Sequence, residues 1–207
     1  MKKIIIISVF CSFNSYAQTS NKSYTQTSEY YLNRGNYNVE VKKYQYSISD
    51  YTRSIEMNPS QEDAYNNRGI SKTKMKDYKG AIIDYNHAIK LNPNNAKIYY
   101  NLGNLHYEMK EFKKAINYYS KAIYFNPKYD EAYNNRGNAK DEIKDYEGAL
   151  EDYSTAIKLN PSIADSYLNR GIIRIKLNQN ESGCEDLYYA GELGMDIAYR
   201  AVNQFCE

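Results

Sequence analysis

The 207-residue sequence has no tryptophan, three cysteines, two histidines and four prolines, and no apolar run long enough to cross a bilayer. The two histidines, His87 and His106, lie in different predicted helices without the spacing of metal ligands. There is no Gly-rich phosphate loop and no Ser/His/Asp grouping, and the pair Asp141 and Glu142 is more typical of a solvated helix face. We therefore expect no catalytic residues, no metal site, no cofactor and no enzymatic activity.

An excess of charge of one sign is also lacking, because 27 basic residues face 25 acidic ones. Proteins that bind nucleic acid neutralise phosphates with clustered basic side chains. The balance therefore argues against nucleic acid as the main partner.

The four prolines are spaced by 34 residues, and the same interval separates a set of glycines and a set of tyrosines. The prolines are Pro59, Pro93, Pro127 and Pro161; the glycines are Gly35, Gly69, Gly103, Gly137 and Gly171; the tyrosines are Tyr51, Tyr85, Tyr119 and Tyr153. A fixed period of this length indicates one supersecondary unit copied along the chain. Such a unit cannot bury its apolar face alone, so its copies must stack.

Each copy is expected to form two helices joined by a turn. The second half has apolar residues at helical spacing, for example Ala81, Tyr85 and Ala88. Asp77 precedes this helix, where a carboxylate can cap backbone N–H groups, and an Asn-Pro pair ends the copy because proline cannot continue a helix. The copy is therefore a helix–turn–helix unit.

The pattern resembles the tetratricopeptide repeat in its aromatic residue, glycine, small residue, second aromatic, alanine and closing proline. The resemblance implies an all-α, right-handed superhelical solenoid with a C-terminal capping helix. The first and last copies depart most, because Ser47 and Ser54 replace alanines and Leu187 replaces the tyrosine. The expected segments are a signal peptide at 1–17, a flexible leader at 18–27, repeats at 28–61, 62–95, 96–129, 130–163 and 164–194, and a capping helix at 195–207.

An arginine just before the glycine and an aspartate fifteen residues after it occur together in four copies. In the third copy both are absent, replaced by Leu102 and Tyr118. A single buried charge is costly, so the loss of one partner requires the loss of both. We interpret the four pairs as structural ion pairs rather than a basic ligand-binding row: Arg34 with Asp50, Arg68 with Asp84, Arg136 with Asp152, and Arg170 with Asp186.

An asparagine precedes the glycine by two residues in all five copies: Asn33, Asn67, Asn101, Asn135 and Asn169. An amide offers both a donor and an acceptor, as a peptide bond does. In tetratricopeptide proteins this position lines the concave groove, and the resemblance implies contacts to the backbone of a bound polypeptide. The alternative is that each amide bonds the backbone of the next repeat. Three more asparagines, Asn36, Asn104 and Asn138, could widen the same polar strip.

The N-terminus has the pattern of a secretory signal peptide. Two lysines precede an apolar run over residues 4–13, and the small residues Ser15 and Ala17 follow. The alternative is a buried N-terminal helix or strand. Export from a bacterium, to the periplasm or outside, is therefore the expected localisation.

Cys184 and Cys206 remain after the predicted signal peptide, which contains Cys11, is removed. An even pair in an exported chain suggests a disulfide, which would pin the capping helix to the last repeat. The alternative is two buried free thiols.

These observations favour a non-catalytic module that binds a polypeptide segment of another protein in its concave groove, without a membrane span. The alternative is a cell-envelope scaffold or accessory subunit acting through its convex face or through self-association. The identity of the partner is not encoded in the repeat pattern, because many functions share such folds.

Cleavage of the predicted signal peptide can be tested directly. If the signal peptide is cleaved after Ala17, protein recovered from a bacterial periplasm or culture medium begins at Gln18. Intact-mass and N-terminal peptide analysis measures this directly. Recovery of the exported protein with residues 1–17 attached would contradict it.

Overall fold

A computed structural model of the chain describes residues 26–206, which form eleven α-helices and no strand. The helices are α1 (Ser28–Glu40), α2 (Tyr44–Met57), α3 (Glu62–Lys74), α4 (Tyr78–Leu91), α5 (Ala96–Glu108), α6 (Phe112–Phe125), α7 (Asp130–Glu142), α8 (Tyr146–Leu159), α9 (Ala164–Lys176), α10 (Asn180–Glu192) and α11 (Asp196–Phe205). The expected all-α fold is confirmed. The predicted signal peptide at 1–17 and leader residues 18–25 lie outside the described residues.

The first ten helices pair into five consecutive hairpins, α1 with α2 through α9 with α10. Each hairpin turns at a residue with positive φ: Lys42, Lys76, Lys110, Lys144 and Asn178. In the second hairpin Lys76 N–H donates to the Thr73 carbonyl and Asp77 N–H to the Lys72 carbonyl, which is a Schellman ending. Asp77 then caps α4, because its Oδ1 accepts from Gly80 N–H at 3.0 Å.

The turns between hairpins use the Asn-Pro pairs. The asparagine ends the second helix in an extended conformation, with φ of −139° at Asn58 and −138° at Asn92, because a residue before proline is pushed out of the helical region. After α10 the chain has Gly194 and Met195 instead, and Gly194 turns with φ of +92°. The last connection is therefore a glycine-ended turn rather than an Asn-Pro turn.

The core of each of the first four hairpins is a tyrosine ring lying against a glycine. Tyr51, Tyr85, Tyr119 and Tyr153 are each 1% exposed, and their rings lie where a side chain on the opposing glycine would be. A Cβ on Gly137 would be 2.7 Å from Cε1 of Tyr153. The glycine therefore allows the two helices of a hairpin to approach around a large aromatic ring.

The hairpins stack so that their first helices form one layer. Helices α1, α3, α5, α7 and α9 contact their successive neighbours, whereas the second helices make no contacts of that extent with one another among the described residues. The layer whose helices are closer together is the inner side of a curved stack. The first helices therefore line the inner face of the solenoid.

Helix α11 covers the last hairpin. Its Ala198 and Val202 are buried, and Ala198 packs in one cluster with Tyr167 and Ala190. The structure joins Cys184 of α10 to Cys206, the residue after α11, in a disulfide with a Cα–Cα distance of 5.8 Å. The C-terminal end of the stack is thus both covered and covalently attached.

Replacing Gly137 with alanine should destabilise the protein. The added methyl group forces the Tyr153 ring to move, which costs about 1–3 kcal/mol, and the better helix propensity of alanine returns only ~1 kcal/mol. Urea unfolding followed by circular dichroism measures the difference. In a Tyr153→Leu background the same change should cost less, because the ring that the added methyl group would meet is then absent. Equal losses in both backgrounds would refute this account of the contact.

Candidate functional site

Four positions of each first helix lie on one side of it, at i, i+4, i+7 and i+11. We call the twenty residues at these positions the inner strip: Glu29, Asn33, Asn36 and Glu40; Asp63, Asn67, Ile70 and Lys74; Lys97, Asn101, Asn104 and Glu108; Glu131, Asn135, Asn138 and Glu142; Asp165, Asn169, Ile172 and Lys176. The amides and isoleucines in the middle are half-buried, except for the exposed Asn33, and the charged residues at both ends are exposed. The strip is therefore a row of amides between two charged edges.

The amides bond from one first helix to the next. Asn67 Nδ2 donates to Asn36 Oδ1 at 3.0 Å, Asn135 donates to Asn104 at 3.0 Å, and Asn169 donates to Asn138 at 2.9 Å. Each accepting oxygen also receives the hydroxyl of the core tyrosine of its own hairpin: Tyr51, Tyr119 and Tyr153, at 2.8–2.9 Å. Burial raises the pKa of these phenols, so they remain hydroxyl donors well above neutral pH.

The second hairpin uses a substitute for this arrangement, because Ile70 stands where three of the others have asparagine. Asn101 Nδ2 donates instead to Asn66 Oδ1 at 2.9 Å, and the Tyr85 hydroxyl lies 3.4 Å from Thr73 Oγ1. The half-buried amide of Asn101 thus has a partner on α3, even though isoleucine rather than asparagine follows Gly69.

The structure therefore places the predicted ladder between neighbouring hairpins as well as on the inner face. Asn67, Asn101, Asn135 and Asn169 bond the preceding hairpin, through side chains rather than the next repeat's backbone. Asn33 belongs to the first hairpin and is exposed. Replacing Asn67 and Asn101 with alanine would consequently lower stability as well as change the inner face, because two bonds between hairpins would be lost.

The ladder leaves amide groups unused. Among the hydrogen bonds of residues 26–206, none involves the Nδ2 groups of Asn36, Asn104 and Asn138, and none involves the Oδ1 atoms of Asn101 and Asn169. Each of these side chains is partly exposed. The inner strip can therefore still donate to carbonyl groups and accept from N–H groups of a ligand.

Two pockets open on the inner strip. One, of about 220 Å³, is lined by Asn36, Val39, Glu40, Tyr51, Asn67 and Ile70. The other, of about 270 Å³, lies between α5 and α7 and is lined by Lys74, Asn104, Tyr107, Glu108, Tyr119, Asn135 and Asn138. Both combine amides, a carboxylate and aromatic carbon, which suits side chains of a polypeptide.

The four arginine–aspartate pairs are brought together inside their hairpins. Arg68, Arg136 and Arg170 each hold their aspartate through two nitrogens at 2.6–2.9 Å, and Arg34 pairs with Asp50. The bond to Asp50 raises the pKa of Arg34 further above its usual value. The aspartates are 1–4% exposed, so these carboxylates depend on their partners for compensation.

Each buried aspartate also has a second partner that sequence reasoning missed. Asp84 lies 2.8 Å from Lys72 Nζ, Asp152 2.8 Å from Lys140, and Asp186 2.8 Å from Arg174. Asp50 instead accepts from Asn38 Nδ2 at 2.9 Å. The sequence contains a signal for this second partner. Of the four copies that have the arginine–aspartate pair, three also have a basic residue three positions after the glycine: Lys72, Lys140 and Arg174.

The arginines also connect neighbouring hairpins. Nη1 of Arg68, Arg136 and Arg170 donates to a hydroxyl on the preceding second helix at 3.0–3.1 Å: Thr52, Ser120 and Ser154 respectively. The third hairpin replaces the whole network, because His106 stacks on Tyr118 with ring centroids 5.0 Å apart and its Nδ1 lies 2.6 Å from Glu111 Oε2. The ion network is therefore a structural element that one hairpin does without.

Breaking this network one residue at a time should be worse than exchanging it as a set. Arg68→Leu leaves Asp84 with Lys72 alone, and we expect a loss of about 2–3 kcal/mol in unfolding free energy. Arg68→Leu combined with Lys72→His and Asp84→Tyr reproduces the third hairpin's residues and should recover most of that loss. Chemical denaturation of the single and combined variants gives the coupling. Strictly additive losses would contradict the interpretation.

Within residues 26–206, no helix is long and apolar enough to cross a lipid bilayer, and no three metal-ligating side chains cluster.

Family models match the central part of the chain. One described as TPR repeat matches residues 71–110, and one described as Tetratricopeptide repeat matches residues 96–129 and again residues 130–163. The last two ranges have the bounds expected for the third and fourth copies. No curated protein matches the chain significantly in sequence.

Several solved structures share the fold at low sequence identity. YrrB, a TPR protein with an unusual peptide-binding site, is 22% identical, with a TM-score of 0.67 over 87% of this chain and 94% of its own. PilF of Pseudomonas aeruginosa is 18% identical, with a TM-score of 0.77 over 82% and 77% of the two chains. MamA of Desulfovibrio magneticus RS-1 is 19% identical, with a TM-score of 0.71 over 80% and 94%.

These likenesses establish the architecture. The predicted tetratricopeptide solenoid is confirmed, and α11 is consistent with the expected C-terminal cap. Residues 71–163 match models of the tetratricopeptide repeat, and the described part of the chain has the fold of a tetratricopeptide solenoid.

Proposed function

We propose that this protein is a non-catalytic interaction module whose inner strip binds an extended segment of another polypeptide. Tetratricopeptide proteins are in general protein-interaction modules, and YrrB is a relative in fold with a peptide-binding site. The predicted signal peptide would place this activity in the periplasm or outside a bacterium.

The observation that carries the proposal is the set of unused amide groups on the inner strip. The acceptor oxygens of Asn36, Asn104 and Asn138 are held by a tyrosine and by the next hairpin, so each side chain is fixed in orientation. A fixed donor loses little conformational freedom when a ligand carbonyl binds it. The strip therefore offers preorganised hydrogen-bonding groups at a regular interval.

The interval suits an extended chain. Packed helices lie about 8–10 Å apart, and an extended polypeptide advances about 3.3 Å per residue. Successive first helices would thus meet about every third residue of a segment lying across them. A segment of about 12 residues would cross all five. Backbone contacts of this kind hold a ligand with little regard to its sequence, and the two pockets would receive particular side chains.

A second candidate function has some support on the outer face. Tyr124 is 79% exposed and Tyr46 is 67% exposed, and both lie on second helices. Exposed tyrosines are common at contact surfaces, which is compatible with a scaffold acting through its convex side. That role would leave the inner strip without a ligand.

The proposal can be tested with a variant that the chain itself suggests. Asn104→Ile with Asn138→Ile gives the third and fourth hairpins the residue that the second and fifth already have. Binding of peptides selected from a random display library on the purified protein should weaken at least tenfold, because two fixed donors are removed. Fluorescence anisotropy measures the affinity, and a melting curve for each variant shows whether it is folded.

The reverse exchange is the matched control. Ile70→Asn adds an amide to the strip at a position where three other hairpins have one, so binding should be kept or strengthened. If the selected peptides bind the isoleucine variant as well as the unchanged protein, or if they lose affinity only when Tyr46 and Tyr124 are replaced, the inner strip is not the binding site. The outer-face role would then be favoured.

A further inference from the structure

The charges of the inner strip differ from those of the rest of the chain. The strip contains seven of the 25 acidic residues but only three of the 27 basic ones. The acidic members are Glu29, Glu40, Asp63, Glu108, Glu131, Glu142 and Asp165, and the basic members are Lys74, Lys97 and Lys176. The remainder of the chain is accordingly basic. A face that carries the opposite charge to its surroundings attracts ligands of one sign.

Three of these carboxylates stand where helix energetics disfavour them. Glu40, Glu108 and Glu142 are the last residues of α1, α5 and α7. Helix C-termini carry partial negative charge and favour basic residues, such as the Lys74 and Lys176 that end α3 and α9. The acidic residues in the first turns, by contrast, are stabilised by the helix dipole and need no ligand to account for them. The carboxylates at the three helix C-termini are therefore the ones that indicate a ligand.

Local pairing compensates these three groups only weakly. Glu108 has Lys74 at 3.9 Å, with both side chains about half exposed. Glu142 accepts a long bond of 3.5 Å from the Tyr107 hydroxyl, and no ion pair within residues 26–206 involves Glu40. Burial, followed by the nearby Glu142 charge, raises the pKa of Tyr107, so this hydroxyl stays neutral. At this edge of the strip, three carboxylates therefore stand against two lysines, Lys74 and Lys176.

The pocket between α5 and α7 has a form that complements a basic side chain. It is lined by Tyr107, Tyr119 and three amides, and by Glu108 and Lys74, whose charged groups are 3.9 Å apart. Glu142 lies 3.5 Å from the hydroxyl of Tyr107. A volume of about 270 Å³ is small for a cofactor and suits one side chain. Aromatic faces with nearby carboxylates are a favourable environment for an ammonium or guanidinium group. Both pockets of the strip include one of the three C-terminal carboxylates.

We infer that the polypeptide bound by the inner strip is a basic one, with a lysine or arginine side chain in the pocket between α5 and α7. The inference rests on the proposed function and specifies the class of its ligand. The amides bind the backbone of the ligand whatever its sequence, and the carboxylates favour a ligand with positive charge. Glu108, which lines the larger pocket, and Glu142, which lies 3.5 Å from the hydroxyl of its Tyr107, are the residues that make this selection.

Three synthetic peptides of about 12 residues test the inference, one alternating lysine with serine, one glutamine with serine, and one glutamate with serine. We expect the lysine peptide to bind about tenfold more tightly than the glutamine peptide, and the glutamate peptide to bind less than either. Raising the ionic strength should reduce only the lysine peptide's advantage, because salt screens exposed charges. Fluorescence anisotropy on the purified protein measures all three affinities.

A pair of double variants locates the effect. Glu108→Gln with Glu142→Gln should reduce lysine-peptide affinity about five- to tenfold and leave the glutamine peptide unchanged. Glu147→Gln with Glu151→Gln removes the same charge from exposed positions on the outer helix α8 and should change neither.

The results separate the two proposals. Equal binding of lysine and glutamine peptides, lost in the Asn104→Ile and Asn138→Ile variant, overturns the charge inference and leaves polypeptide binding in place. Equal losses from the inner and outer glutamine variants also overturn it, because the effect would then be one of net charge. If none of the three peptides binds, the inference falls, and the display selection decides separately whether the inner strip binds polypeptides at all.

Discussion

The contact between a glycine on the first helix and a tyrosine ring on the second sets the geometry of four of the five hairpins. Without a side chain at Gly35, Gly103 or Gly137, the ring lies flat between the helices, and its hydroxyl reaches the asparagine next to the glycine. That asparagine then presents a fixed oxygen to the following hairpin. Packing inside one hairpin thus determines the seam with the next and the orientation of amides on the inner face.

The arginine–aspartate network also connects helices within hairpins and between them. Each buried aspartate holds an arginine in position, and in the second, fourth and fifth hairpins the same arginine reaches a hydroxyl on the preceding hairpin. Replacement of the network in the third hairpin by Leu102, His106 and Tyr118 coincides with the largest apolar cluster of residues 26–206, which joins the second and third hairpins. The interface between hairpins is therefore polar in some copies and apolar in another. The inner strip does not depend on which is used, since Asn101 still bonds the preceding helix.

Much of this architecture is predictable from internal repetition. Five copies show which positions must stay constant, so helix positions, turns and the arginine–aspartate pairs could be derived from spacing alone. The inter-hairpin bonds of the asparagines could not, because an invariant amide is equally compatible with a ligand and with a neighbouring helix. The second cation on three of the aspartates could be suspected from Lys72, Lys140 and Arg174, but only the folded chain shows that these side chains reach the carboxylates. The charge of the inner strip could not be predicted before the stacking of the hairpins was known, because residues far apart in sequence form the strip.

The two ends of the stack are unequal. At the C-terminus a short helix and a disulfide cover the last hairpin, whereas at the N-terminus Tyr30 and Tyr37 are 43% and 60% exposed at positions that are fully buried in every later hairpin. Arg34 likewise has 44% of its side chain exposed, against 14–19% for its counterparts. In a linear array whose units are stabilised only by their neighbours, opening starts at the less covered terminus. Unfolding should therefore have a direction, with fraying that begins at α1 and advances toward the bridged end, so that amide hydrogen exchange decreases along the chain.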